Sequence, residues 1–269
     1  MKRISTLLIA ALVSTAALAQ EDKKGNDNMP NEIMISPDGM TLGRKGEEKD
    51  DKRFSVEVGM IDIGVNTLMD NSNYASATTK AFLQVPSSLQ NENLFSLRNG
   101  KSINVNIVPV AGKWRIYSGD KQKIHMGLGV GLQMYNFRFT KDISYLNNTT
   151  PEIIMDTVGF TKNKLGLTYL YMPLMMTFKT KLGDKAWLVY GAGVSAGYRV
   201  SSWTKQVSAA RGKDKNHDKF NFADFNTCVT GEIGLDGYFR LFASYQMTAL
   251  HDNALDQKPI SIGIRFGGL

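Results

Sequence analysis

Charged side chains at alternating positions have the clearest chemical potential in this sequence. Glu232 and Arg240 lie on either side of a short turn signal, Leu-Asp-Gly, and Glu57 and Arg265 lie near opposite ends of a strand-rich region. A carboxylate beside a guanidinium serves either acid–base chemistry or a structural ion pair. Because buried charges must be paired to offset a large desolvation cost, we expect structural ion pairs inside the fold. If the turn is a three-residue hairpin loop, Glu232 lies directly opposite Arg240.

The histidines and the cysteine do not form a metal-binding pattern. His125, His217 and His251 are far apart in sequence, no HxxxH or HExxH spacing occurs, and Cys228 is the single cysteine. Metal sites usually draw on local His or Cys pairs. We therefore expect no metal and no other cofactor.

A catalytic alternative rests on His next to Asp in the polar segments. His217 precedes Asp218, and His251 precedes Asp252, with Ser202 as a candidate nucleophile. Such a set resembles what a lipid-modifying enzyme requires, a nucleophile beside a base. His beside Asp in a polar loop is more often solvated surface, so we expect no catalytic residues.

A basic segment between two strand patterns is a candidate anion-binding loop. Residues 204–220 contain five Lys or Arg and two Asp. The candidate ligands are Lys205, Arg211, Lys213 and Lys215. Cations at a surface attract anionic phosphates, such as those of lipopolysaccharide. The alternative is a solvated hairpin tip.

Composition excludes several protein classes. The chain has 269 residues, of which 42% are hydrophobic and 21% charged, so it is not a disordered chain. The 25 Gly and the 10% aromatic content favour strands over helices.

The N-terminus has the three parts of a secretory signal peptide. Lys2 and Arg3 are basic, Leu7–Val13 is apolar, and Ala17-Leu18-Ala19 has the small-x-small pattern of a cleavage site. We expect a signal peptide at 1–19, a flexible periplasmic leader at 20–52, and one domain at 53–269. Export makes nucleic acid an improbable partner despite the net charge of +7. An alternative for the leader is a partner-binding motif at Ile33–Met40.

From Arg53 onward, apolar residues recur at every second position, which indicates strands with two unlike faces. We predict eight strands, near Phe54–Val65, Ser102–Ile116, Ile124–Met134, Leu165–Phe178, Ala186–Ser202, Ala223–Gly234, Tyr238–Thr248 and Ile260–Phe266. Short Gly- and Asp-containing turns alternate with long connections, as in outer-membrane barrels. The sequence therefore predicts an all-β fold, an eight-stranded antiparallel up-and-down transmembrane β-barrel with both termini in the periplasm.

The polar face of these strands is predicted to point inward. It carries Asn104, Asn106, His125, Gln133, Arg199, Asp224, Glu232, Arg240 and Arg265. So many polar and charged groups do not suit an apolar ligand cavity, which disfavours the alternative of a soluble lipocalin-like barrel. We expect the aromatic residues Tyr135, Phe137, Phe139, Tyr169, Tyr171 and Tyr198 at the membrane interfaces. An eight-stranded barrel is filled by side chains, so a wide pore is not expected.

Three segments resemble the PorT-like outer-membrane β-barrel family. They are LTYLYMPLMMTFK at Leu167–Lys179, WLVYGAGVSAGYRVSSWTKQ at Trp187–Gln206, and ISIGIRF at Ile260–Phe266. The chain lacks the acidic residue often found before the Pro of the first segment, and its last aromatic residue, Phe266, is displaced inward from the terminus.

The resemblance implies an outer-membrane barrel without an assigned activity. We expect a non-enzymatic structural, interaction or envelope-assembly (secretion-accessory) protein with long external loops. Its expected partners are outer-membrane lipid, lipopolysaccharide and an envelope or extracellular protein. The alternatives are a narrow channel and a lipid-modifying enzyme at the outer rim.

Overall fold

The computed structural model describes residues 53–148, 150–183 and 186–269, together with two backbone strands before residue 53. The strands are β1 Glu32–Ser36, β2 Gly39–Gly43, β3 Phe54–Asp70, β4 Leu83–Gln84, β5 Ile103–Ser118, β6 Gln122–Arg138, β7 Ile143–Asn147, β8 Pro151–Met155, β9 Lys162–Lys181, β10 Trp187–Ser208, β11 Gly212–His217, β12 Phe225–Leu235, β13 Arg240–Gln246 and β14 Gln257–Phe266. One α-helix, α1 Ala77–Phe82, and the 3-10 turns Ser87–Leu89, Glu92–Phe95 and Asn99–Lys101 lie between β3 and β5. In this part of the chain, no helix has the length and apolarity needed to cross a membrane.

Eight of the described strands close into an antiparallel barrel. Their order around the barrel is β3-β14-β13-β12-β10-β9-β6-β5, and β5 pairs with β3 to complete the circle. These are the eight predicted strands, so the predicted fold class is confirmed. Most of the strands are longer than the sequence pattern indicated, and β10 has 22 residues, whereas β13 is shorter, with seven residues.

The two faces of the barrel wall differ as predicted. Each strand has a largely exposed apolar residue on the outside: Ile63, Ile107, Val130, Leu174, Val194, Val229, Leu241 and Ile262. Each strand also has a buried polar or charged residue on the inside: Asp62, Asn106, His125, Thr177, Ser195, Glu232, Arg240 and Arg265. Of the predicted inward set, only Asp224 is partly exposed, and its carboxylate bonds the Arg199 guanidinium at 2.6 Å.

A bulge in β3 changes which residues face inward. Gly59 has a φ of +88°, and the pairing with β5 skips it between Val58 and Met60. Such a conformation is easy for glycine and costly for other residues. Glu57 before the bulge and Asp62 after it are therefore both inward and buried, although they are five positions apart.

The long connections build a cap over one end of the barrel. Within the described residues, β4, β8 and β7 form a three-stranded sheet in which Leu83 pairs with Ile153. Strand β11 extends the barrel wall by pairing with the end of β10. Beneath the cap, aromatic side chains such as Phe137, Tyr145 and Phe222 form the larger apolar cluster.

A hairpin occurs in the segment that the sequence predicted to be a flexible leader. β1 pairs with β2, and β2 pairs with β3 from Met40↔Val58 to Leu42↔Val56. The β14 strand reaches only as far as Ile61 on the same edge of β3, so this edge is open to β2. Two short runs of alternating apolar residues around Ser-Pro-Asp-Gly are typical of a hairpin. The predicted signal peptide at 1–19 and the rest of the leader lie outside the described residues.

Candidate functional sites in the barrel interior and at the outer rim

A four-residue charge cluster lies inside the barrel. The Arg265 guanidinium donates to the Asp62 carboxylate from Nε at 2.7 Å and from Nη2 at 2.8 Å, a bidentate arrangement. Its Nη1 donates to Glu232 Oε2 at 3.0 Å, and Arg240 Nη1 donates to Glu232 Oε1 at 3.1 Å. All four side chains are buried. Two cations and two anions therefore neutralise one another, as a buried network requires.

The register of this cluster differs from the predicted one. Glu232 lies opposite Phe242, and Arg240 lies opposite Gly234. The connection is the four-residue segment 236–239 rather than the predicted three-residue loop Leu-Asp-Gly, because Leu235 ends β12 and β13 begins only at Arg240; Gly237 has a φ of +79°. The expectation that Glu232 is directly opposite Arg240 was therefore wrong, but the long Arg240 side chain spans the diagonal.

Glu57 and Arg265 are both interior, but they do not form the pair that their positions suggested. Arg265 lies opposite Asp62 across the β14–β3 pairing. Glu57 is nearer the short-turn end of β3, where its Oε1 lies 3.9 Å from Lys113 Nζ. Sequence reasoning missed Asp62, although a carboxylate between Ile61 and Ile63 on a membrane strand indicates an inward charge.

A neutral polar layer lies further toward the cap. Asn226 Nδ2 donates to Gln133 Oε1 at 2.8 Å and to Gln246 Oε1 at 3.2 Å. The buried Cys228 thiol lies beside this layer, 3.7 Å from the Tyr135 hydroxyl. These groups fill the bore with hydrogen-bonded side chains.

Glycines on β6 let the interior pack closely. A Cβ at Gly127 would lie 2.7 Å from Leu269 Cβ, and one at Gly131 would collide with the Ile107 carbonyl oxygen. Leu269 itself is buried, and its carbonyl oxygen accepts from Thr177 Oγ1 at 3.1 Å. The space above these glycines is therefore occupied by other parts of the chain.

Most of the aromatic residues expected at the membrane interfaces lie inside the barrel. Tyr135, Phe137, Phe139, Tyr169 and Tyr171 are all at most 4% exposed, whereas Tyr198 is 49% exposed. On β6, Tyr135 and Phe137 alternate in phase with His125 and Gln133, and side chains two positions apart share a face. The prediction was wrong for these five residues because apolar clusters fill part of the bore: four of them belong to the larger cluster beneath the cap, and Tyr171 belongs to a smaller cluster with Leu269.

The candidate catalytic residues at the rim do not assemble. Ser202 Oγ accepts from Arg199 Nη1 at 2.9 Å and donates to the Asp218 carbonyl oxygen. His251 is buried among Phe82, Tyr145 and Phe222, and burial lowers its pKa to about 3. Within the described residues, Ser202 and His251 share no hydrogen bond, and His217 is exposed on β11.

The same part of the chain contains no group of three or more His, Cys, Asp or Glu arranged to hold a metal ion.

The candidate anion-binding residues are distributed over a strand pair. Lys205 lies on β10 opposite Lys215 on β11, and Lys213 lies opposite Val207. Arg211 belongs to a different surface, because its Nη1 bonds Asp156 Oδ2 at 2.8 Å. Burial by itself would raise the pKa of Asp156, but the Val158 N–H and Arg211 hold it below its usual value.

The structure brings further cations to the same rim that sequence reasoning missed. Lys164 on β9 lies opposite both Lys205 on β10 and Arg138 on β6. Lys162 lies opposite Val207, two positions along β9. Their proximity depends on strand register, which the sequence does not specify with enough accuracy.

Comparisons with known proteins find similarity at the level of structure. No protein-family model matches the sequence, and no curated protein matches it. Among solved structures, the chain is similar to Ail, the attachment invasion locus protein of Yersinia pestis, with 10% identity and a TM-score of 0.28. That similarity covers 78% of this chain and 98% of Ail.

Proposed function

We propose that this chain is a non-enzymatic outer-membrane barrel that presents its capped loops at the cell exterior, as an interaction or envelope-assembly protein. The observation that carries the proposal is the inversion of polarity across the barrel wall. Exposed apolar residues occur on the outside of every barrel strand, while the charges inside are paired with one another. An apolar exterior of this kind is stable in lipid and costly in water.

The finer parts of the proposal come from the sequence. They are a Sec signal peptide at 1–19, both chain termini in the periplasm, and kinship with PorT-like barrels through Leu167–Lys179, Trp187–Gln206 and Ile260–Phe266. The short turns, such as that between Ser118 and Gln122, would then face the periplasm and the cap would face outward. A protein partner in the envelope or outside the cell would meet the cap first.

The filled bore supports a non-conducting role. The charge cluster around Arg265, the Gln133–Asn226 layer and the aromatic cluster occupy successive levels of the interior. Eight strands enclose just enough room for such side chains. Conductance of the purified protein in planar bilayers tests this: a steady single-channel current would favour the narrow-channel alternative.

Membrane fractionation with gel electrophoresis tests the main proposal. We expect the protein in the outer-membrane fraction, and we expect unboiled protein to migrate differently from boiled protein because the closed barrel resists detergent. Soluble protein without this shift would contradict the membrane placement. Incubation with outer-membrane lipids followed by mass spectrometry tests the enzyme alternative, for which we expect no product.

A further inference from the structure

Four cations lie side by side across four neighbouring strands on the outside of the barrel. Arg138 on β6 lies opposite Lys164 on β9, Lys164 lies opposite Lys205 on β10, and Lys205 lies opposite Lys215 on β11. We call these four residues the basic row. Adjacent strands are about 4.8 Å apart, so the row extends over about 14 Å of the rim.

The basic row belongs to the outer face of the wall. On β6, Arg138 alternates in phase with the exposed Leu128 and Val130, and on β9 Lys164 alternates in phase with Leu170 and Leu174. On β10 a bulge between Arg199 and Ser201 shifts the phase, which leaves Ser202 and Thr204 inward and Lys205 outward. Two further cations, Lys162 and Lys213, lie opposite Val207 on the distal side of the row.

No carboxylate compensates these charges within the described part of the chain. The contacts of the row are a hydrogen bond from Arg138 Nη2 to the Thr161 carbonyl oxygen at 2.7 Å and the placement of Lys215 Nζ 4.8 Å from the Trp203 ring centre. Lys205 is repelled by Lys213, Lys162 and Lys215. Like charges directly opposite each other destabilise a sheet. A polyanion bound at this point would be attracted by each cation, and this attraction would offset the repulsion between them.

The position of the row relative to the apolar surface indicates an amphipathic polyanion. Immediately toward the membrane, Trp203 lies opposite Gly166, where a Cβ would collide with its indole ring. Below Trp203 come Tyr198, Val200 and Leu170, all between 46% and 52% exposed, which we call the belt. A tryptophan between charged and apolar surface is typical of the interface between headgroups and acyl chains. A ligand at this place would have phosphates level with the lysines and acyl chains along the belt.

We propose that the basic row, with Lys162 and Lys213, binds the phosphate groups of lipopolysaccharide, with its acyl chains against the belt below Trp203. This inference rests on the proposed outer-membrane placement, because that is where a multiply acylated, phosphorylated glycolipid adjoins the rim. It changes the set of anion-binding residues predicted from the sequence in two ways. Arg211 is excluded because it pairs with Asp156, and Arg138, Lys162 and Lys164 are added.

The test compares two double variants of the full chain in detergent micelles. In the rim variant, Lys164→Gln/Lys205→Gln, the centre of the basic row loses its charge. In the control variant, Lys121→Gln/Lys181→Gln, two exposed lysines at the short-turn end are neutralised, so both variants have the same net charge. Affinity for purified, fluorescently labelled lipopolysaccharide is measured for both variants and for the wild type.

We expect the rim variant to bind lipopolysaccharide at least tenfold more weakly, and the control variant to bind as the wild type does. Dephosphorylated lipopolysaccharide should bind the wild type as weakly as intact lipopolysaccharide binds the rim variant. Equal affinity of both variants would overturn the inference. Full competition by millimolar inorganic phosphate would also overturn it, since the site would then recognise phosphate without the lipid.

Two further measurements distinguish a failure of this inference from an unfolded variant and from a failure of the proposed function. Without lipopolysaccharide, a cooperative unfolding transition in each protein shows that all three are folded. Lipopolysaccharide should then raise the unfolding temperature of the wild type and the control but not of the rim variant. Fractionation of cells producing the wild type tests the proposed function independently. Wild type in the outer membrane with unchanged affinity of the rim variant would overturn this inference alone.

Discussion

The interior charge cluster and the basic row both contain cationic side chains, but their neighbours differ: the interior cations contact carboxylates, and the rim cations lie beside other cations. Inside the barrel, Arg265 contacts Asp62 and Glu232 within 3.0 Å, and every cation of the cluster has an anionic partner. At the rim, Lys164 and Lys205 face other cations. Breaking one of the interior pairs would destabilise the fold, since it would leave a buried charge without its partner. The rim cations lie where water or an anion can reach them, and we propose that they bind an anion.

Removing the most highly connected interior cation should have the largest effect. Arg265→Met leaves Asp62 without a cationic partner, with only the hydrogen bond from Asn106 Nδ2, and leaves Glu232 with Arg240 as its one remaining cationic partner. We expect a loss of about 3–5 kcal/mol in the free energy of unfolding, the range for breaking a buried pair. Arg240→Met should cost less, because Glu232 keeps Arg265. Urea titration in micelles, with boiled and unboiled gel mobility as readout, measures both; unchanged midpoints would contradict the structural role.

Filling the space above a β6 glycine should have the next largest effect. Gly131→Ala places a Cβ against the Ile107 carbonyl, whereas Gly231→Ala meets nothing nearer than 3.8 Å and serves as the matched control. We expect a loss of about 1–3 kcal/mol for the first variant, as for other overpacked interiors. Equal unfolding midpoints for the two variants would show that the bore is less tightly filled than described.

Acidification should weaken the cap through His251. Its pKa is about 3 in the folded protein, because burial disfavours the charged form, against an ordinary value of about 6.5. Between these values the unfolded segment binds a proton that the folded one does not. The stability from this group is therefore complete above pH 6.5 and falls by about 1.4 kcal/mol for each pH unit below it.

Limited proteolysis of the loops at pH 7 and pH 5.5 measures this effect. We expect faster cleavage of the wild type at the lower pH and a smaller difference for His251→Phe, which keeps an aromatic ring in the Tyr145–Phe222 cluster. A pH dependence unchanged by the substitution would contradict the assignment of the effect to His251.

Neutralising the basic row should have the smallest effect on stability. Lys164→Gln/Lys205→Gln removes repulsion between two solvent-accessible cations, so we expect the free energy of unfolding without ligand to stay equal or to rise slightly. Thermal unfolding in micelles without lipopolysaccharide checks this. A clear drop in the unfolding temperature would show that these lysines support the fold, which would contradict the difference drawn between the rim and the interior.

Much of the barrel was predictable from the sequence because strand periodicity and turn composition are local signals. Ile124–Met134 alternates so regularly that its strand, its facing and the role of its glycines follow from residue types alone. Features set by register were not predictable. The Gly59 bulge brings Asp62 to Arg265, and the longer β12–β13 connection moves Arg240 two positions from Glu232. The basic row likewise depends on which residues of four strands lie side by side.

The most direct test of the account asks whether lipid surrounds the barrel wall. Ile262 on β14 and Val194 on β10 lie on different sides of the barrel and are 58% and 48% exposed. Each is replaced by Trp in a background where Trp114, Trp187 and Trp203 are Phe, and the protein is reconstituted in vesicles with brominated acyl chains. We predict strong quenching of both tryptophans relative to unbrominated lipid. Absence of quenching at both positions, with the barrel intact by gel mobility, would contradict the central claim that the exposed apolar residues of the barrel wall face lipid.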